Sequence, residues 1–265
     1  MKKPTLEQWL AKVRAGDVRA ALACGNFVVV EAAARKVEEE RLPVAAELVE
    51  AFSVRPDPGC RARLAIARAL LALEEWDDRV FALGIATHEP SGFDDPSANL
   101  RGACAIAYAN LHRSDAANAC AALLADASPV ARLDAARALG ACAGTTALLR
   151  YKVLIGDSDQ DVTAAAIDSL LATGRAEATP FLVELLAVRD VRSELIGLAL
   201  GGARLAIPEI IGWCKELLAL QRQRVGYLAV ALTRSAAGDT YLRSIVADGG
   251  RLDAEAAKKA LATFD

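Results

Sequence analysis

The chain has 265 residues, 54% of them hydrophobic, which is enough apolar material for a core running its whole length. A formal charge of −3 and a pI near 5.6 leave no bulk electrostatic pull toward nucleic acid or anionic membrane. Glu7, Gln8 and Lys12 interrupt any apolar signal core after Lys2 and Lys3, and the longest apolar stretch, 195–213, carries Arg204, Pro208 and Glu209, so neither a secretory signal nor a membrane span is expected and the location reads as cytoplasmic.

In chain order, residues 1–54 read as an N-terminal helical cap with a degenerate first repeat, whose weak copy runs from Val29 to Val37. Asp57-Pro58 then precedes Arg-Leu-Ala-Ile-Ala-Arg-Ala-Leu at 63–70, which returns as Arg-Leu-Asp-Ala-Ala-Arg-Ala-Leu at 132–139, with six of eight positions identical. A related copy, Leu100 to Tyr108, follows Asp95-Pro96, and others run from Val162 to Leu170 and from Val191 to Ala199. The second residue of each copy serves as a marker: Arg63, Arg101, Arg132, Thr163 and Arg192, at steps of 38, 31, 31 and 29. Weaker copies at Arg224–Leu232 and Glu255–Leu261 complete seven or eight units of about 30 residues, and such a period means one supersecondary unit stacked on itself.

Within a copy, counting from the residue before the marker, positions 0, 4, 5, 7 and 8 are apolar while 2, 3 and 6 vary, a helical stripe and not strand alternation. Ser128-Pro129, Asp57-Pro58, Asp95-Pro96 and Asp159 read as helix starts, a cap acceptor followed in three cases by a proline that needs no N–H partner. Two linkers, 174–180 and 202–208, share Gly-x-x-x-Ala-x-Pro. They predict a glycine ending one helix in a left-handed conformation and a proline in the first turn of the next. The unit is therefore helix, short turn, helix.

The run Asp-Pro-x-Val-Arg-x-x-Ala-Ala-x-Ala-Leu-Gly, matched at most positions by Ser128–Gly140, and Gly-x-x-x-Ala-x-Pro-x-Leu, matched by 174–186, resemble the HEAT-like repeat family in its bacterial short-repeat, phycobilin-lyase HEAT-like form. The resemblance covers about 55–265, taken as one continuous array, and fits 1–54 poorly. It implies an all-α fold, a right-handed α-α superhelix (an α-solenoid) of about seven to eight helix pairs, with the marker helices lining its concave side. It also implies the work such arrays do, which is chiefly as scaffolds and adaptors and in a few cases as enzymes.

Recurrence separates two classes of candidate residue. Arg63, Arg101, Arg132 and Arg192 repeat with the unit, as packing demands do, so they are expected to tether neighbouring repeats through aspartates such as Asp126 and Asp157. The varying positions should face out: Arg68, Arg137 and Asp168 at position 6, with Asp134 and Glu194 at position 3, are the candidate partner-binding residues. Phe93, in the 88–97 insertion that lengthens one step to 38, is a further candidate as an aromatic anchor.

Six cysteines (Cys24, Cys60, Cys104, Cys120, Cys142, Cys214) show no Cys-x-x-Cys spacing and read as reduced, small apolar residues. His88 and His112 have no ligand-spaced neighbours, so no metal or other cofactor is expected, and no nucleophile elbow, phosphate loop or His-Glu-x-x-His supplies catalytic residues. The basic run Arg61, Arg63, Arg68, Arg101, Arg113 and Arg137 is broken by Asp134, Asp168 and Glu194, which weighs against a phosphate-neutralising stripe. The sequence thus points to a non-enzymatic interaction scaffold or regulatory adaptor for a protein or peptide. A DNA-binding or DNA-glycosylase-type protein, or a phycobilin-lyase-like enzyme, stands as the alternative.

Overall fold

A computed structural model describes residues 4–89, 95–188 and 190–263. Among them are seventeen α-helices, one short 3-10 turn at Pro58–Cys60 and no strand. The chain divides into two compact units, Met1–Ala143 and Gly144–Asp265.

The first unit holds α1 (Leu6–Arg14), α2 (Val18–Leu22), α3 (Phe27–Glu40), α4 (Ala45–Ala51), α5 (Arg61–Ala72), α6 (Asp78–Ile85), α7 (Ala98–Asn110), α8 (Ala116–Leu123) and α9 (Pro129–Leu139). Here α3, α5, α7 and α9 lie side by side in one layer, while α6 covers α5 and α7 and α8 covers α7 and α9. The second unit holds α10 (Thr146–Ile155), α11 (Gln160–Thr173), α12 (Arg175–Leu186), α13 (Val191–Gly202), α14 (Ile207–Lys215), α15 (Leu220–Leu232), α16 (Ala236–Asp248) and α17 (Arg251–Leu261). The plan repeats: α11, α13, α15 and α17 form one layer, and α12, α14 and α16 each bridge two of its members. These are stacked helix pairs, the all-α repeat fold that the periodicity predicts.

The apolar stripe explains the layering. Ile66 and Leu70, Ala135 and Leu139, and Ile167 and Leu170 are fully buried, each worth roughly 1.5–3 kcal/mol where the side chain is large. A helix flanked on both sides and covered on a third keeps one open edge, and Arg68, Arg137 and Asp168 are exposed there. Small residues set the closeness of approach. A Cβ on Gly201 of α13 would stand 2.3 Å from the Ala229 carbonyl oxygen of α15, and one on Gly102 of α7 would meet Asp134 of α9.

Helix starts follow the sequence in part. Asp159 accepts from the Asp161 N–H, as its position predicts, and Asp190 from Arg192 and Ser193. Ser128 makes no side-chain cap, and Pro129 takes the first helical position. The linkers depart from expectation. Gly174 is extended (φ −173°) and α12 begins at once, leaving Pro180 inside the helix, whereas Pro208 does fall in the first turn of α14. The left-handed residue after α13 is Arg204 (φ 57°), not Gly202. Glu74 after α5 and His112 after α7 take the same conformation, and in all three the next N–H returns to a carbonyl one turn inside (Glu75 to Leu70, Arg113 to Tyr108, Leu205 to Leu200). This six-to-one closure satisfies orphaned carbonyls even though each non-glycine pays about 1–2 kcal/mol of left-handed strain.

Candidate functional site

Most of the marker side chains are buried, with Arg132 half-buried. Arg63 and Arg101 are 1% and 0% exposed, and Thr163 and Ser193 are buried at the same level of α11 and α13. In α13 the burial of Ile196, Gly197 and Leu200 parallels that of Ala166, Ile167 and Leu170 in α11. That register puts Ser193, not Arg192, at the marker position, one residue later than Val191-Arg192 suggests. Gly197 consequently lies not on the open face but under the Trp213 ring, which a Cβ there would meet at 2.7 Å.

The two buried guanidinium groups are saturated by carboxylates from the connecting segments. Arg101 donates to both oxygens of Asp126 (2.8 Å each), to Asp95 (2.6 Å), to the Ser97 hydroxyl and to the Thr87 carbonyl. Arg63 donates to Asp57 (3.1 Å) and to both oxygens of Glu89 (2.9 and 2.6 Å), while Asp57 also accepts from the Ala62 and Arg63 backbone N–H groups. Glu89 and Asp95 both lie within the 88–97 insertion, so it is fastened to buried arginines at two points. Arg132 turns back to the Asp126 and Ala127 carbonyls, and Asp157 accepts from Lys152 at 2.6 Å. Arg192 donates to Asp190 (2.6 Å) and to the Leu154 carbonyl. Asp57, Glu89 and Asp95 were not assigned this role from sequence; the Asp-Pro dipeptides before each helix were the available signal, and they read as caps.

Arg63 holds the Glu89 carboxyl below the usual carboxylate range, chiefly through its hydrogen bonds and with help from the charge of Arg55, against the opposing effect of burial. A carboxyl depressed in the folded state contributes stability above its ordinary value of 4.5 and loses it as the pH falls through the folded value. Glu89→Gln removes that titration. Its stability, from urea melts, is expected to fall less steeply on acidification below pH 4.5 than that of the unsubstituted chain.

The candidate binding residues sit on the open edge of the marker helices. Arg68, Arg137 and Asp168 are exposed, and Asp134 and Glu194 are half-buried. Arg137 reaches Asp134 at 3.4 Å, a long contact, and Glu194 accepts from Arg222 of α15 at 2.7 Å. Asp134 lies against Gly102. Burial raises its pKa, and the nearby Arg137 and Arg68 oppose the rise. Phe93 lies outside the described residues. A cleft of about 680 Å³ includes Glu50, Arg55, Arg63, Arg79, His88 and Glu89 in its lining, but its charges pair across it, Arg79 with Glu50 and Arg63 with Glu89.

No cysteine is bonded to another, and burial pushes the Cys60 and Cys214 thiols up to about 11 and Cys120 to about 12, which removes nucleophilic thiolate at neutral pH. Among the described residues no group of His, Cys, Asp and Glu is placed to hold a metal ion, and no helix is long and apolar enough to cross a membrane.

Residues 120–201 match the family model described as HEAT repeats. Over that segment the chain carries HEAT-like repeats. The matched HEAT segment contains Arg132, Thr163 and Ser193 and the helices that carry them. The X-ray structure of the Escherichia coli protein YibA is similar over 98% of both chains, with a TM-score of 0.54 at 16% identity, a likeness of fold. Comparison with curated proteins finds no match.

Proposed function

We propose that this HEAT-like chain is a non-enzymatic, cytoplasmic scaffold or regulatory adaptor that holds a protein partner on the open face of its marker helices. The carrying observation is the partition along those helices. The side chains Arg63, Arg101, Thr163 and Ser193 are buried and Arg132 is half-buried, whereas Arg68, Arg137 and Asp168, at one of the positions that vary from copy to copy, are exposed. A preformed surface of this kind binds without the entropy of ordering a loop. The unbonded thiols support a reducing compartment.

Arg68→Glu with Arg137→Glu tests the reading. The expected result is unchanged helicity and melting temperature by circular dichroism, because exposed substitutions shift stability by no more than about 0.5 kcal/mol. Partner capture from the native host, read by cross-linking and mass spectrometry, should be lost. Capture that survives the double substitution would place the interaction elsewhere. Salt-sensitive binding of duplex DNA in a mobility-shift assay would replace the protein-partner reading with a nucleic-acid one.

A further inference from the structure

Two of the six cysteines are neighbours, and we infer that Cys120 and Cys142 form a reversible disulfide when a peroxide reaches the chain, a modification that locks α8 to the end of α9. The inference goes beyond the partner reading and does not depend on it. Cys120 lies on α8, the helix that covers α7 and α9, and its thiol donates to the Ala105 carbonyl of α7 at 3.5 Å. Cys142 lies in the turn that closes α9, where its N–H returns to the Leu139 carbonyl and its thiol to the Ala138 carbonyl at 3.5 Å. From these two elements the sulfurs come within hydrogen-bonding reach of each other.

The other four thiols face different chemistry. Cys60 meets Glu89 and the Arg63 guanidinium, Cys24 the backbone of Asn26 and Cys214 the Tyr241 hydroxyl, while Cys104 sits against Gly84. The two neighbours also differ in access. Cys120 is fully buried, whereas Cys142 is half-buried between exposed Ala141 and Ala143. Burial raises the Cys142 pKa, and the hydrogen bond from Cys120 opposes the rise. Cys142 is therefore the sulfur that a small oxidant reaches, and Cys120 the one that resolves it.

With hydrogen peroxide, the Cys142 thiolate attacks one peroxide oxygen and the O–O bond breaks. The departing hydroxide takes up the thiol proton as water and leaves a sulfenic acid. Cys120 attacks that sulfur: the S–O bond breaks, the S–S bond forms, and the Cys120 proton leaves with hydroxide as a second water. The two thiols lose two electrons and two protons, and the peroxide accepts them. Closure to a bond of about 2 Å needs a small approach of sulfurs already in contact. The link closes a loop of about 20 residues, which restricts the unfolded chain and so stabilises the folded one. A small dithiol reverses it by exchange.

Treatment of the folded full chain with hydrogen peroxide, followed by thiol counting and non-reducing peptide mapping, tests the inference. The count is expected to fall by two from six, with a cross-linked peptide joining Cys120 to Cys142, and dithiothreitol should restore both thiols. The link should form about tenfold or more faster in the native chain than in urea, because the fold holds the sulfurs together. The oxidised chain should melt at a higher temperature than the reduced one. In Cys120→Ala the Cys142 sulfenic acid should persist and be captured by a 1,3-dione. No loss of thiols, a loss without the Cys120–Cys142 peptide, or equal rates with and without urea overturns the inference. An oxidised chain that melts no higher overturns the locking role. Should the alanine variant fail to fold by circular dichroism, the urea comparison on the unsubstituted chain decides alone.

Discussion

Arg101→Met is expected to be among the most damaging single substitutions in the chain. The arginine is fully buried and bridges Asp126, itself 3% exposed at the side chain, to Asp95. Methionine fills much of the volume but strands two carboxylates that, among the described residues, have lost their cationic partner. Breaking a buried ion pair from one side costs about 3–5 kcal/mol, because an uncompensated charge remains. For a chain of this length that lowers the melting temperature by about 10 °C. Arg101→Lys should recover little, since a single ammonium cannot reproduce the fork that reaches both oxygens of Asp126 while also holding Asp95, Ser97 and the Thr87 carbonyl. Arg137→Met, on the open face, is the comparison, expected to move stability by about 0.5 kcal/mol or less. Thermal melts of the three variants that fail to separate Arg101 from Arg137 would show that the buried network adds nothing.

Gly201→Ala should also destabilise, against the trend of helix propensity. Inside an isolated helix alanine is favoured over glycine by about 1 kcal/mol. Here the new methyl would stand 2.3 Å from the Ala229 carbonyl oxygen, and backbone cannot swing aside as a side chain does. α13 and α15 must separate, and overpacking of this sort costs typically about 1–3 kcal/mol. Gly212→Ala in α14 reverses the sign, because nothing lies within 4 Å of its Cβ position. It should gain up to about 1 kcal/mol by propensity alone. Urea melts of the pair give the answer directly: two glycine-to-alanine changes, opposite shifts in midpoint.

The contrast between these two glycines shows where the sequence is readable and where it is not. Periodicity identifies the helices because Ile66, Leu70, Leu139 and Leu170 must each be hidden, and a stripe of that spacing has one solution. It separates Arg63 and Arg101 from Arg68 and Arg137 for the same reason. It cannot tell Gly201 from Gly212, since close approach is a property of two helices and appears in neither alone. Nor does it find Glu89 or Asp95 as partners of buried arginines: they lie on connections whose length varies, outside the repeating register. The slip at α13 has a local cause. Val191-Arg192 imitates the marker dipeptide, but Ile196 and Leu200 decide which way the helix is turned, and they bury Ser193.

The arginine at the heart of the first unit ties together connections that precede and follow its own helix, Asp95 on one side and Asp126 on the other. The connections before and after α7 cannot part from it without stripping a charge from Arg101. The corresponding places in the second unit hold Thr163 and Ser193, and its charged ties include the buried pair of Lys152 with Asp157 and the part-exposed Arg222 with Glu194. Amide protons of α7 are therefore expected to exchange together with those of its flanking connections, while α13, with Ser193 at the matching place, is expected to open in smaller steps.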